Sequence, residues 1–145
     1  MAIKLSSKTH YGLRAMVDLA RAYGTGPLAL GEIAEAEGIS LRYLEQLAAT
    51  LRRAGLIQAT RGVQGGYQLN SDPTSITVGR IVRVLEGPII LVPQCDPESG
   101  KRNCARQDIC SSREVWSKAR EALNGVFDSI TLADLCAAGN RGEAH

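Results

Sequence analysis

Aromatic residues are scarce in this 145-residue chain: they make up 4% of it, with one Phe, one Trp and four Tyr. The interior must therefore be built from Leu, Ile, Val and Ala. Histidine is scarcer still, with two copies, His10 and the terminal His145. No phosphate-binding glycine loop and no Ser/His/Asp set is present, so an enzyme is not expected. No run approaches the roughly eighteen apolar residues of a membrane span, so no membrane partner is expected. The opening Met1 to Ser6 lacks a long apolar stretch with a small-residue cleavage site, which excludes a secretory signal and places the expected compartment in the cytoplasm. A net charge of +2 is too small to point to any partner.

What is present is a globular composition, 44% hydrophobic and 22% charged, of a length that suits one domain with an appendage. Four cysteines stand out: Cys95, Cys104, Cys110 and Cys136. In a reducing compartment clustered thiols point to metal or redox chemistry rather than disulfides.

Apolar positions at helical spacing (Leu13, Met16, Val17, Ala20) predict a first helix from about Ser6 to Tyr23, broken by Gly24-Thr25-Gly26-Pro27. A short helix over Leu30–Glu37 ends at Gly38, and Ser40 caps a second one. Its apolar stripe is Leu41, Leu44, Leu47, Ala48 and Leu51. Two helices joined by a tight glycine turn are a helix-turn-helix pattern. Leu56–Thr60 and Tyr67–Leu69 then read as strands joined by the glycine-rich turn Arg61–Gly66, which makes a wing. Thr77 caps a further helix that ends at Gly87-Pro88. Residues 94–112 show no periodicity and read as a loop. A long helix follows from Arg113 to Ser129, and a last short one is capped by Thr131.

Charge is distributed unevenly over this pattern. Residues 30–38 carry three acids and no base, whereas Arg42, Arg52, Arg53 and Arg61 face a single acid, Glu45, between positions 42 and 61. A DNA reader needs cations for phosphate and polar side chains at the start of its recognition helix for base edges. Ser40, Arg42, Tyr43, Glu45 and Gln46 occupy that start. Arg42 is suited to guanine or phosphate, Glu45 to a cytosine amino group, Arg52 to phosphate, and Arg61 to a groove or phosphate beside the wing. A winged helix that binds only protein is the blander reading.

Cys95-x₈-Cys104-x₅-Cys110 places three thiols within sixteen residues. The spacing is not the C-x₂-C of a zinc knuckle, and the wider separation suits an iron–sulfur cluster. Lys101, Arg102 and Arg106 would offset the charge of such a cluster. Three cysteines are one ligand short. Zinc is the rival metal, and unliganded or redox-paired thiols are the third option. Cys136, between Leu135 and Ala137, reads as a buried small hydrophobe.

Four stretches now carry a resemblance. Leu5-Ser6-Ser7-Lys8-x-x-Tyr11-Gly12-Leu13-Arg14-Ala15-Met16, then Ile39-Ser40-Leu41-Arg42-Tyr43-Leu44-Glu45-Gln46-Leu47, then Arg61-Gly62-x-x-Gly65-Gly66-Tyr67, and the three-cysteine segment followed by Val115-Trp116 resemble the IscR/NsrR/RirA family of bacterial iron–sulfur transcription regulators. The resemblance covers residues 3–136. It implies a mainly α fold with a small β-hairpin wing: a winged helix-turn-helix domain plus a long dimerisation helix that crosses its partner. It also implies a homodimer on a pseudo-palindromic operator, acting as a repressor. Cys95, Cys104 and Cys110 match the family's cluster ligands, Ser40 and Glu45 its base-reading residues, and Arg61 its wing arginine. A [2Fe–2S] cluster is favoured over [4Fe–4S].

The IscR branch has a histidine where this chain has Arg113, and an arginine has no lone pair for a metal. The NsrR branch completes its site with an aspartate of the other subunit near the start of the first helix. Aligning on Leu5, Tyr11 and Leu13 puts His10 there, which makes His10 the expected fourth ligand. The x₈ gap is longer than the family's. A zinc- or thiol-controlled winged-helix regulator is the alternative. The expected division is residues 1–86 as the DNA-binding domain, 87–112 as the cluster loop, 113–136 as the dimerisation helix with the short helix, and 137–145 as a flexible tail.

Overall fold

A computed structural model describes residues 4–63, 65–93 and 111–143. Six helices and one hairpin follow in chain order among them: α1 (Ser7–Arg21), α2 (Leu30–Glu37), α3 (Leu41–Arg53), β1 (Ile57–Thr60), β2 (Gly66–Leu69), a 3₁₀ turn (Pro73–Ser75), α4 (Val78–Glu86), α5 (Ser112–Ser129) and α6 (Leu132–Glu143).

Local chemistry sets most of these boundaries. Gly38 takes φ 68°, a left-handed conformation that suits glycine, and ends α2. The turn is closed by the Gly38 N–H on the Glu35 carbonyl at 3.3 Å and the Ile39 N–H on the Ala34 carbonyl at 3.1 Å. Two residues later the Ser40 hydroxyl accepts from the Tyr43 N–H at 3.1 Å and starts α3. Thr77 caps α4 in the same way, its hydroxyl accepting from the Arg80 N–H at 3.1 Å. Strand β1 pairs antiparallel with β2, Ile57 opposite Leu69 and Thr60 opposite Gly66. The Leu28 and Tyr67 backbones exchange two hydrogen bonds of 2.9 Å, which join the segment before α2 to the wing.

The core lies where α1, α2, α3, the hairpin and α4 meet. Met16, Ile33, Leu44, Leu51, Leu56, Ile57 and Ile81 are all buried there. Each such side chain contributes roughly 1.5–3 kcal/mol on leaving water. Leu41 departs from the expected stripe: it is 45% exposed, while Leu44, Leu47, Ala48 and Leu51 are buried. It is the first residue of α3, so it stands at the helix end rather than over the core.

The C-terminal part is not a separate segment. Residues 130–132 run antiparallel to 76–78: the Val78 N–H donates to the Ile130 carbonyl at 2.8 Å and the Leu132 N–H to the Ile76 carbonyl at 3.0 Å. Leu132 is wholly buried in the same core as Met16 and Leu44. Thr131 caps α6 reciprocally, its hydroxyl accepting from the Asp134 N–H at 3.2 Å and its own N–H donating to Asp134 at 2.9 Å.

Helix α6 is also longer than expected, reaching Glu143 through the stretch read as a tail. Packing explains this. Leu135 and Cys136 lie against the core, and the missing side chain of Gly139 leaves room for the Arg21 guanidinium. Helix α5 packs on α4 through Leu123 and Phe127 against Val78, Val82 and Ile89. It is unbroken at Gly125 and has no fully buried residue, while Val115, Trp116 and Val126 remain exposed.

Candidate nucleic-acid interface

Helix α3 presents one long face to solvent. Ser40, Arg42, Glu45 and Gln46 are exposed at its start and Arg52 and Arg53 at its end. The two C-terminal arginines sit where the helix dipole is negative, a favourable place for cations. Arg53 donates to the Thr50 hydroxyl at 3.3 Å, and Arg52 extends into solvent beside it.

Tyr43 is placed differently from its neighbours. It is half-buried, its ring meets Tyr11 edge-on at 6.3 Å, and its hydroxyl lies 3.5 Å from that of Ser7. It therefore anchors the start of α3 to α1 while leaving part of its surface open. Leu41, overlooked as a surface residue in the sequence, adds an apolar contact beside Arg42, of the kind that suits a thymine methyl.

The wing carries Arg61 at the end of β1, exposed to solvent, with the exposed Val63 near the tip. Two close approaches require glycine here. A Cβ on Gly65 would lie 2.5 Å from the Thr60 carbonyl oxygen, and one on Gly66 would run into that of Leu28. So the glycines shape the turn that holds Arg61.

The cluster residues are not brought together by the described structure, because Cys95, Cys104 and Cys110 lie outside the described residues. His10 is exposed on α1, its ring packed edge-on against Tyr11 at 5.0 Å between centroids. Cys136, expected to be buried, is half-buried at the edge of the core, with its sulfur 4.0 Å from the Val17 carbonyl oxygen.

One arrangement gave no sequence signal. The Glu86 carboxylate, at the end of α4, accepts from the Ser6 N–H at 2.7 Å, the Ser6 hydroxyl at 2.6 Å and the Thr9 hydroxyl at 3.1 Å. These hydrogen bonds, the Ser6 hydroxyl foremost, hold Glu86 below the usual carboxylate range. Eighty positions separate Ser6 from Glu86, so no local pattern could reveal the clasp. It joins the start of α1 to the residue just before the segment that leads to the cysteines.

A helix-turn-helix whose second helix exposes polar and cationic groups, followed by a glycine-shaped wing with an arginine, defines a winged-helix DNA-binding transcription regulator. The sequence matches the family described as "Rrf2: Iron-dependent Transcriptional regulator" over residues 5–138. The chain belongs to the Rrf2 family and is a transcriptional regulator, not an enzyme. It is 44% identical to the HTH-type transcriptional regulator CymR of Bacillus subtilis over 92% of this chain and 89% of that protein. Its fold matches a structure of T. potens IscR with a TM-score of 0.77 at 44% identity, covering 96% of this chain and 90% of the other. It matches the structure of B. subtilis CymR, described as the global cysteine regulator, with a TM-score of 0.80 at 42% identity, covering 94% and 98%. No helix among the described residues is long and apolar enough to cross a membrane.

Proposed function

We propose that this regulator acts as a homodimeric repressor whose operator affinity is set by an iron–sulfur cluster. Cys95, Cys104 and Cys110 of one subunit and the partner subunit's His10 would hold it. Three thiolates and an imidazole are a donor set that suits such a cluster, and the exposure of His10 leaves its imidazole open to a second chain. Arg113 cannot replace it. The [2Fe–2S] form is favoured. When bound, the cluster would supply sensitivity to iron, nitric oxide or redox state.

The observation that carries this reading is the Glu86 clasp. The segment bearing the thiols leaves α4 immediately after Glu86, and Glu86 holds the α1 turn of Ser6 and Thr9. The adjacent Ser7 and Tyr11 meet Tyr43, whose N–H is bound by the Ser40 cap of α3. A shift at the root of the thiol segment thus has a short covalent and hydrogen-bonded route to the reading helix. The exposed Val115, Trp116 and Val126 of α5 supply an apolar face for the second subunit. On the operator, Ser40, Glu45 and Gln46 would meet base edges, with Tyr43 beside them. Arg42, Arg52 and Arg61 would take phosphates or, for Arg61, the minor groove.

Anaerobic purification with iron and sulfide analysis, followed by salt-dependent operator binding, tests the reading. The expected protein is brown, contains sulfide, and changes operator affinity when the cluster is lost. A His10→Ala variant with an unchanged cluster spectrum and lifetime would remove His10 from the ligand set. A second reading is favoured by the likeness to a protein described as a cysteine regulator: zinc or thiol oxidation controls operator binding. A colourless protein with stoichiometric zinc, or with none and a thiol-dependent affinity, would establish it.

A further inference from the structure

Helix α3 begins with two unlike groups side by side. Ser40 is its cap, and the Ser40 hydroxyl oxygen accepts from the Tyr43 N–H at 3.1 Å. A cap bond of this kind draws the hydroxyl over the open end of the helix. A hydroxyl carries one proton and two lone pairs, so engaging one lone pair on the backbone leaves the proton to be donated. Ser40 is exposed, and an acceptor can reach that proton from outside the protein.

Leu41 is the first residue of the helix and is 45% exposed. A lone exposed leucine is ordinary on a protein surface. This one stands among Ser40, Arg42, Glu45 and Gln46, all of them exposed and polar. Leu44, Leu47, Ala48 and Leu51 seat α3 in the core without it. Helical side chains lean towards the N-terminus. The Leu41 side chain is therefore carried to the end of α3 where the Ser40 hydroxyl sits.

A hydrogen-bond donor beside an apolar group is the complement of one base edge. In the major groove guanine shows two acceptors, adenine an acceptor beside an amino donor, and cytosine an amino donor. Thymine alone shows an acceptor, O4, beside a methyl group. The partial positive charge at the start of a helix favours O4 further. Given the proposed contact of this end of α3 with base edges, we infer that Ser40 and Leu41 together read a thymine. The Ser40 hydroxyl donates to O4, and the Leu41 side chain covers the methyl group. Leu41 is then a specificity-determining residue, and Glu45, one turn further along, is left to an amino group of a neighbouring base pair.

The test uses the purified full chain and a duplex that it enriches from a random-sequence DNA library. In copies of that duplex each thymine is replaced singly by deoxyuridine, which removes only the methyl group. At one thymine of each half-site, binding is expected to weaken about fourfold, as for one buried carbon. A 5-methylcytosine·guanine pair at the same position keeps the methyl group and turns O4 into an amino group; it should weaken binding about tenfold. Leu41→Ala lies on the surface and should melt like the native chain. It is expected to bind the thymine and deoxyuridine duplexes alike at that position while still rejecting 5-methylcytosine. Ser40→Gly, a tolerated cap, should lose that rejection and keep the preference for the methyl group. A native chain indifferent to every thymine methyl group, a Leu41→Ala variant with the full deoxyuridine penalty, or a Ser40→Gly variant with the full 5-methylcytosine penalty would overturn the thymine assignment and leave DNA reading by α3 standing. Failure to enrich any sequence would overturn both.

Discussion

Replacing Asp18 with asparagine isolates the energetic consequence of the carboxylate pair that it forms with Glu37, to which it is hydrogen-bonded. Burial, then the hydrogen bond and negative charge of Glu37, hold the proton on Asp18 up to about pH 7, against an ordinary 3.8 for the unfolded chain. Between those values folding takes up a proton, so this group's contribution is complete below about pH 4 and is lost as pH rises through 7. At full value the loss would be about 4 kcal/mol, from 1.36 kcal/mol for each pH unit. Asp18 is only half-buried, and Arg14 and Arg21 beside it are exposed, so solvent screening reduces this to about 1–2 kcal/mol.

The amide introduced by Asp18→Asn can still donate to Glu37 and never ionises. The variant should therefore be flatter in stability between pH 5 and 8 than the native chain, and more stable at pH 8 by about 1–2 kcal/mol. For a domain of this size that corresponds to a rise of roughly 3–8 °C in melting temperature. Circular dichroism melts of both proteins at constant ionic strength across that range would measure it, and the comparison cancels the titration of every other group. Parallel curves would refute the reasoning, because they would mean that Asp18 titrates alike in the folded and unfolded chain.

Glu86→Gln should cost about 1–2 kcal/mol at neutral pH through weaker acceptance from Ser6 and Thr9. Since Glu86 is held below its ordinary value, that stabilisation is present above about pH 4.5 and disappears in acid, where native and variant melts should converge. Gly66→Ala should loosen the wing by about 2–3 kcal/mol, because the new methyl would meet the Leu28 backbone; hydrogen exchange at the Leu28 and Tyr67 amides would report it. Leu132→Ala should cost about 2–5 kcal/mol and lower the stability of the whole winged-helix body as one transition in urea unfolding.

The ends of α2, α3 and α4 are legible from residues alone, because Gly38, Ser40 and Thr77 act on backbone groups within four positions. The wing is legible for the same reason, through the glycines between Arg61 and Tyr67. The uneven placement of arginines likewise marks the exposed face of α3. The Glu86 clasp, the Asp18–Glu37 pair and the exposure of Leu41 are not legible, since each depends on which distant surfaces come to lie side by side. Periodicity groups Leu41 with Leu44 but cannot say where the neighbouring helix stops. Composition misleads at the C-terminus: Gly139, Asn140 and Gly142 read as a frayed tail, and contact with α1 outweighs their weak helix propensity.

The burial of Leu132 beside Met16 and Leu44 has a consequence for how the protein is made. The DNA-reading half is synthesised first, yet its core stays open on one side until the chain has grown to residue 132 and folded back along residues 76–78. A nascent or truncated chain that stops short of α6 exposes part of the apolar surface under α1. Such a chain is expected to be less stable and more open to chaperones and proteases than the full one. The core beneath the reading helix is thereby completed only after residues 87–131 have been made, although the residues of α3 and the wing lie far earlier in the chain.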